Sequence, residues 1–499
     1  MYEWLAGAAL EHPERAALRR ANGAKLSYRV LLRRAAQVAA RIELGGARRG
    51  DSVAWLGADA AHGIILMFAL VRLGAVFVPL NTRLTASELH TQIALADARL
   101  LVCERATEAQ AAQLAGPLPV RSFDAPHHAD VQQLPNVPVE EAQHAAESDI
   151  TLHAVQSIVF TSGTTGAPKG AQITCFNHYA SAQASAQRLG TGQDDVWLLS
   201  LPLYHVGGMT IPFRALLSGA RVVEFDGSKG FDPARMMRVL HDEQITMVSL
   251  VPTMLKRLLD AGFTGTPSLR AILLGGAAAP ADLLERAWKR GLPVAPTYGL
   301  TEACSQVATM APVEARTKPG SVGKPLQGTT VTIVREDGAA AAVGQIGEIV
   351  VRGPTVFRGY LNAPDDRTLR DGVLWTGDMG YADADGDLFV VQRRTDLIVT
   401  GGENVYPAEV EAVLRQHPTV AEACVVALSH PEWGQQVAAA VVLRPGAVPD
   451  EAALRTWCRE RMAGYKCPRP LRVVDALPVT ASGKVLRRDV AKLFDANAS

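Results

Sequence analysis

The chain has 499 residues, 48% hydrophobic and 20% charged, with 50 Lys+Arg against 50 Asp+Glu. That length exceeds what one core serves, so at least two domains are expected, and the charge balance offers no handle for nucleic acid or an anionic membrane. The six cysteines, Cys103, Cys175, Cys304, Cys424, Cys458 and Cys467, form no Cys-x-x-Cys or Cys/His group, which argues for reduced thiols in a cytoplasmic protein rather than disulfides or a zinc site.

The first twenty residues or so carry acids and a proline where a signal peptide needs a basic start and an apolar run. The longest apolar segment, 64–80, is broken by Arg72 and Gly74 and is too short to span a bilayer. Helical spacing of apolar residues predicts a helix over 29–43, ended by Gly45-Gly46. Strand 51–56, helix 61–73, strand 75–80, helix 85–96 and strand 99–103 follow. Such alternation predicts a parallel sheet between helices. The stretch 104–150, rich in Ala, Gln, Pro and His with little periodicity, reads as a surface connection.

A β-branched run from Val155 to Phe160 predicts a buried strand. It opens into Thr161-Ser162-Gly163-Thr164-Thr165-Gly166-Ala167-Pro168-Lys169-Gly170, after which the chain is extended again to Cys175. Bare backbone N–H groups and hydroxyls there can close around phosphate oxygens, with Lys169 adding positive charge. This is no Walker A loop, because the lysine precedes a glycine and a strand, not a helix. By composition alone a polar surface hairpin is as good a reading.

Next come a helix near 176–188, a strand over 196–201 and the segment Pro202-Leu203-Tyr204-His205-Val206-Gly207-Gly208. Strand–helix units at 221–225 with 232–243, 246–250 with 252–261 and 271–275 with 280–290 predict a second doubly wound sheet. From 320 to 360, short strands and turns suggest a small β-barrel-like subdomain, followed by a hairpin over 381–388. A domain boundary is expected around 393–396. Beyond it, helix 407–416, strands 420–427 and 436–443, helix 450–463 and strand 471–474 suit a small α+β domain.

The loop at 161–170 matches the phosphate-loop signature of the adenylate-forming superfamily. Further matches follow in the expected order: Tyr298-Gly299-Leu300-Thr301-Glu302, Trp375-Thr376-Gly377-Asp378, Arg393-Arg394-Thr395-Asp396, Gly401-Gly402-Glu403-Asn404 and Ser482-Gly483-Lys484. The chain resembles that superfamily along essentially its whole length. The resemblance implies an α/β fold, with two doubly wound sheets and the small β-barrel-like subdomain in an N-terminal domain (1–393), a hinge at 394–396 and a small mobile α+β domain over 397–499. It implies an acid–thiol ligase that uses ATP, Mg2+ and coenzyme A through an acyl-adenylate.

Residue by residue, the resemblance makes Thr161, Ser162, Gly163, Thr164, Thr165, Gly166 and Lys169 the ATP cradle. It sets Thr301 on the α-phosphate and Glu302 on Mg2+ with help from Thr164; one carboxylate with phosphates and water is an ordinary Mg2+ site. Gly275, Gly276 and Ala277 would let an adenine ring lie flat on backbone, with Tyr298 stacked beneath it, Gly299 also at the nucleotide and Gly275 also bordering the acyl group. Asp378 suits vicinal ribose hydroxyls, and Arg393 resembles the arginine that shares that grip; a turn cap and a surface ion pair are the bland alternatives. Lys484 matches the catalytic lysine, while Gly401, Gly402 and Glu403 match the loop bordering the pantetheine tunnel. Thr395 takes the hinge position, where many relatives carry a charge. His205 matches the residue at the mouth of the acyl pocket.

Arg214 stands in the otherwise apolar stretch 208–217. It wants an anion, an internal salt bridge or a snorkelling geometry, and the sequence leaves these open. The segments around Arg214, 273–280 and 298–312 look most like the branch of the superfamily that thioesterifies 2-succinylbenzoate in menaquinone synthesis. That substrate carries a second, aromatic carboxylate, which Arg214 would meet directly or through water. Another aryl- or small/medium-chain acyl-CoA ligase is the alternative, as is an adenylation protein that loads a carrier domain. The partners expected are a small carboxylate and coenzyme A, with no nucleic acid and no membrane span; a homo-oligomer is left open.

Overall fold

The computed structural model describes residues 2–495 apart from 85, 138–151, 163–167, 228–229, 362–367, 394–397, 401–402, 406, 431–432, 449, 463 and 481–483. Two compact units emerge, one of residues 1–331 with 350–375 and one of 332–349 with 376–499.

The first unit holds two sheets. One runs, edge to edge, Gly359–Leu361, Pro168–Thr174, Val155–Ser162, Val76–Pro79, Ser52–Leu56, Ala98–Cys103, Val120–Ser122 and Gln132–Gln133. It is parallel from Val155–Ser162 onward, with an antiparallel hairpin and edge strand at the other side. The second runs Lys324–Pro325, Ser305–Thr309, Val294–Leu300, Ala271–Leu274, Met247–Leu250, Val196–Leu199, Arg221–Glu224, Ala16–Arg19 and Lys25–Ser27, parallel except for antiparallel pairs at both ends.

The inner strands are short unbroken apolar runs because helices cover both faces. Every residue of Ser52–Leu56 and of Ala271–Leu274 is buried. The helix Ala60–Leu73 begins at the Asp59 cap, whose side chain accepts from the His62 N–H, and ends at Gly74 with φ 72°. Apart from His62 and Arg72 it is apolar all round, as suits a helix enclosed by the core. One core joins Val53 and Trp55 of the first sheet to Trp197 and Val222 of the second through this helix. The two sheets are thereby held in one frame.

The segment expected to be a surface connection is partly built into the first sheet. After a 3-10 turn, Arg105–Thr107, comes a short helix, Glu108–Ala112, and the strands Val120–Ser122 and Gln132–Gln133 extend the sheet in parallel. Ala111, Leu114, Val120 and Val131 dock against Leu101 and Cys103. They are too sparse for a period to show, so only the sheet edge reveals them. A second element escaped the sequence reading: Val206–Leu216 is a helix despite Pro212.

In the second unit, Glu403–Val405, Ile398–Thr400, Gly434–Leu443 and Val420–His430 form a sheet in that order, with Leu471–Val473 on Gly434–Leu443. The helices Pro407–Arg415, Glu451–Arg461 and Arg487–Asp495 accompany it, which is the α+β pattern expected. The strands of the small β subdomain run Thr330–Val334, Gly347–Arg352, Val373–Ala382 and Leu369–Arg370, with Leu388–Arg393 beside Val373–Ala382. All six cysteines are buried and free. Among the described residues, no helix is long and apolar enough to cross a membrane.

Candidate active site

The strands that flank residues 163–167 form a hairpin. Val155–Ser162 pairs antiparallel with Pro168–Thr174, Ser162 opposite Pro168 and Thr161 opposite Lys169. The Thr161 hydroxyl donates to the Lys169 carbonyl at 3.4 Å. Gly163, Thr164, Thr165 and Gly166 lie outside the described residues, as does the Ser162 side chain.

The edge strand Gly359–Leu361 lies along this hairpin, Tyr360 opposite Ala171. That register brings Lys169 Nζ to 5.2 Å from the Tyr360 ring centroid, a cation–π approach. The Tyr360 hydroxyl in turn donates to Glu302 Oε1. The Phe357 N–H donates to the Glu302 carbonyl at 2.9 Å. Tyr360 is the residue the sequence reading missed. Nothing in the spacing of 357–361 marks it, and only the sheet register brings it to the acid.

Glu302 itself stands at a tight return. The strand Val294–Leu300 turns through the 3-10 segment Thr301–Ala303 and comes back as Ser305–Thr309. Cys304 (φ 49°) and Ser305 (φ 90°) close the turn in the left-handed region. Gly299 is required by contact: a Cβ there would stand 1.6 Å from the Ser305 carbonyl oxygen. Gly299→Ala is expected to cost at least about 2 kcal/mol of stability and to displace Glu302, as denaturant unfolding would measure.

The neighbouring strand, Ala271–Leu274, ends in Gly275-Gly276-Ala277. A Cβ on Gly275 would meet Thr297 Cγ2 at 2.7 Å, and Gly276 has φ +80°. Leu274 pairs with Pro296, so Gly276 and Tyr298 each lie two residues beyond that pair. Tyr298 is 9% exposed and Ala277 is exposed. Bare backbone and an aromatic ring therefore share the C-terminal edge of the parallel strands, where open α/β sheets take ligands.

His205 occupies the cap position of the helix Val206–Leu216, its exposed ring set edge-on to Tyr204 at 4.7 Å. Desolvation by the surrounding protein, with Arg83, holds its pKa below the usual histidine value. Arg214, in the last turn of this helix, is 1% exposed. Its Nη2 donates to Ser305 Oγ at 2.8 Å, and its buried Nε has no partner. Among the described residues no carboxylate pairs with this guanidinium, so none of them supplies the internal salt bridge that the sequence left open.

Burial lowers the Arg214 pKa to about 10, so the group stays charged at neutral pH. His178 lies beside it, 1% exposed, its Nε2 3.0 Å from Ser157 Oγ and its Nδ1 3.5 Å from Cys304 Sγ. Burial and then the Arg214 charge push the imidazole down to about 3, so it is neutral. Buried charges are normally paired. Here a cation is held beside a neutral ring with no anion supplied by the described residues.

In the second unit, Asp378 is 3% exposed and stands opposite Arg393 in the antiparallel pair. Gly377 (φ +69°) turns the chain before it, and the Gly377 N–H donates to Glu348 Oε1 at 3.0 Å. The Arg393 side chain, hinge residues 394–396 with Thr395, Gly401, Gly402 and the Glu403 side chain lie outside the described residues. Lys484 is exposed on a turn where its N–H donates to Thr480 Oγ1 at 3.1 Å.

A hairpin strand thus presents Lys169 to Tyr360, which in turn bonds an acid at a strand end. The chain belongs to the AMP-binding enzymes, in the family of 2-succinylbenzoate–CoA ligases: the AMP-binding enzyme family matches residues 5–361, and the AMP-binding enzyme C-terminal domain matches 409–484. It is 42% identical over 498 residues to the 2-succinylbenzoate–CoA ligase of Geobacillus kaustophilus, covering 99% of this chain and 98% of the relative. The o-succinylbenzoate CoA synthetase of Bacillus subtilis, solved with its acyl-adenylate intermediate, is 36% identical with a TM-score of 0.84, covering 98% and 97% of the two chains. ATP-bound MatB from Rhodopseudomonas palustris is 30% identical with a TM-score of 0.89 and complete coverage, 100% of each chain.

Proposed function

We propose that this enzyme joins 2-succinylbenzoate to coenzyme A with ATP, giving 2-succinylbenzoyl-CoA, AMP and pyrophosphate, a step of menaquinone synthesis. The aliphatic carboxylate attacks the α-phosphorus of ATP, the α–β phosphoanhydride bond breaks and pyrophosphate leaves. The coenzyme A thiolate then attacks the acyl carbon of the adenylate, AMP leaves with the bonding pair, and the thiol proton goes to solvent. The observation that carries the substrate reading is Arg214, a buried cation with no acid among the described residues. A second carboxylate on the substrate completes it.

Such a reaction is accelerated by positioning and by neutralising spread negative charge. The loop 161–166 and Lys169 would cradle the phosphates, with Thr301 at the α-phosphate. Glu302 is half-buried, with one oxygen accepting from Tyr360, and a carboxylate so placed fits a hard cation. With Thr164 it would hold Mg2+, which when bound offsets the charge of the phosphates. Gly276, Ala277, Tyr298 and Gly299 would floor the adenine, with Gly275 against the acyl group; Asp378 and Arg393 would take the ribose. His205 would gate the acyl pocket. Lys484 would bridge carboxylate and α-phosphate. Gly401, Gly402 and Glu403 would border the pantetheine. The thiol needs no dedicated base, being a few per cent ionised at neutral pH and facing an activated acyl group.

The domain limits we propose are 1–393 and 397–499 with the hinge at 394–396, supported by the family matches, which stop at 361 and resume at 409. A cytoplasmic location is supported by six free, buried thiols. The test is an equimolar mixture of 2-succinylbenzoate, benzoate, hexanoate and malonate with ATP, Mg2+ and coenzyme A, read by mass. The expected dominant product is 2-succinylbenzoyl-CoA. A dominant benzoyl or hexanoyl thioester would keep the ligase chemistry and remove the substrate assignment.

A further inference from the structure

We propose that Arg487 is the positioning residue of Lys484, and that Glu411 ties that lysine's turn to the helix behind the coenzyme A loop. The inference rests on the adenylation role assigned to Lys484 above.

The Lys484 turn is small. The Thr480 N–H donates to the Lys484 carbonyl at 2.7 Å, the Leu486 N–H donates to the Pro478 carbonyl at 2.9 Å, and Val479 bridges Val485. Backbone bonds of this kind, exposed to water, open locally at little cost. Three residues beyond Lys484, Arg487 starts the helix Arg487–Asp495. Its side chain turns inward: Nη1 donates to Glu411 Oε1 and, at 2.6 Å, to the Val425 carbonyl.

Glu411 is 5% exposed and is gripped from two further sides, by the Val425 N–H at 2.9 Å and by Arg415 Nη2 at 3.3 Å. It lies on the helix Pro407–Arg415, which directly follows 401–406. A single buried carboxylate thus joins the helix behind the coenzyme A loop, the strand Val420–His430 and the root of the Lys484 turn.

The pair is partly buried, its side chains 31% and 7% exposed, so breaking it takes one of three donors from a carboxylate in a dry setting. The lysine has to reach a carboxylate and a phosphate oxygen together, and a misplacement of about 1 Å costs on the order of 10²-fold. The thioester step does not use this turn. Loss of Arg487 therefore falls on one half-reaction. The contacts to Glu411 and to the Val425 carbonyl come from one nitrogen, Nη1, so a lysine ammonium can reach both oxygens in its place.

The test measures two rates in the full-length enzyme: adenylate formation from 2-succinylbenzoate and ATP, and coenzyme A ligation of supplied 2-succinylbenzoyl-adenylate. Arg487→Met is expected to lower the first about 10²-fold and the second less than about threefold, with Arg487→Lys recovering most of the loss. Arg487→Gln, which can still donate to the Val425 carbonyl, replaces Arg487→Met should the latter fold poorly. Equal losses in both rates, unchanged adenylation, or a lysine variant no better than methionine or glutamine would overturn the proposal. Lys484→Ala is the control: full adenylation by that variant would place the fault in the assignment of Lys484 instead.

Discussion

Lys484→Ala is expected to lower acyl-adenylate formation by about 10²–10³-fold, the scale for removing one preorganised donor from a developing anion. Coenzyme A ligation of supplied adenylate should change little. The asymmetry follows from charge. In the first step two anions, a carboxylate and a triphosphate, must meet at the α-phosphorus, and a cation between them lowers that repulsion most at the transition state. In the second step the acyl group is already activated and the attacking thiolate needs no bridge. Lys484 is exposed, and its side chain is not built into a packed core. Its loss should leave melting unchanged, so a fall in rate reports chemistry. Single-turnover measurement of the two half-reactions decides it, and equal losses in both would sink the role.

Arg214→Met is expected to act in the opposite sense on stability and on function. The free enzyme holds a guanidinium that is 1% exposed, bonded to one hydroxyl and lacking an acid among the described residues. Replacing such a group with an apolar side chain of similar length is neutral or stabilising, so the melting temperature should hold or rise. Binding of 2-succinylbenzoate should weaken by about 30-fold or more, the effect of truncating one partner of a desolvated charge pair worth about 2 kcal/mol. Benzoate, with no second carboxylate, should be affected far less. A variant that melts lower and loses both acids equally would make Arg214 a packing residue. Differential scanning fluorimetry beside a two-substrate rate comparison separates the outcomes.

Much of the architecture was legible in order along the chain, for a local reason. Apolar runs such as Ser52–Leu56 and the spacing within Tyr28–Leu44 encode the strands and helices directly. The hairpin around 161–170 and the one over 381–388 follow from short stretches rich in turn-forming residues. Residues 105–133 did not announce themselves, because their few apolar side chains have value only against the edge of a sheet that other segments build. The helix Val206–Leu216 was hidden by its proline and glycines.

Taken by itself, the sequence determined the alternating strands and helices, the hairpin at 161–170 and the motif order that marks the family, since each is set by residues adjacent in the chain. Only the tertiary structure decided that Lys169, Tyr360 and Glu302 converge, because that depends on the register of an edge strand contributed from nearly two hundred residues away. It also decided that Arg214 is buried beside a neutral His178 with no described carboxylate, because the burial of a charge and the identity of its neighbours are properties of packing, not of spacing.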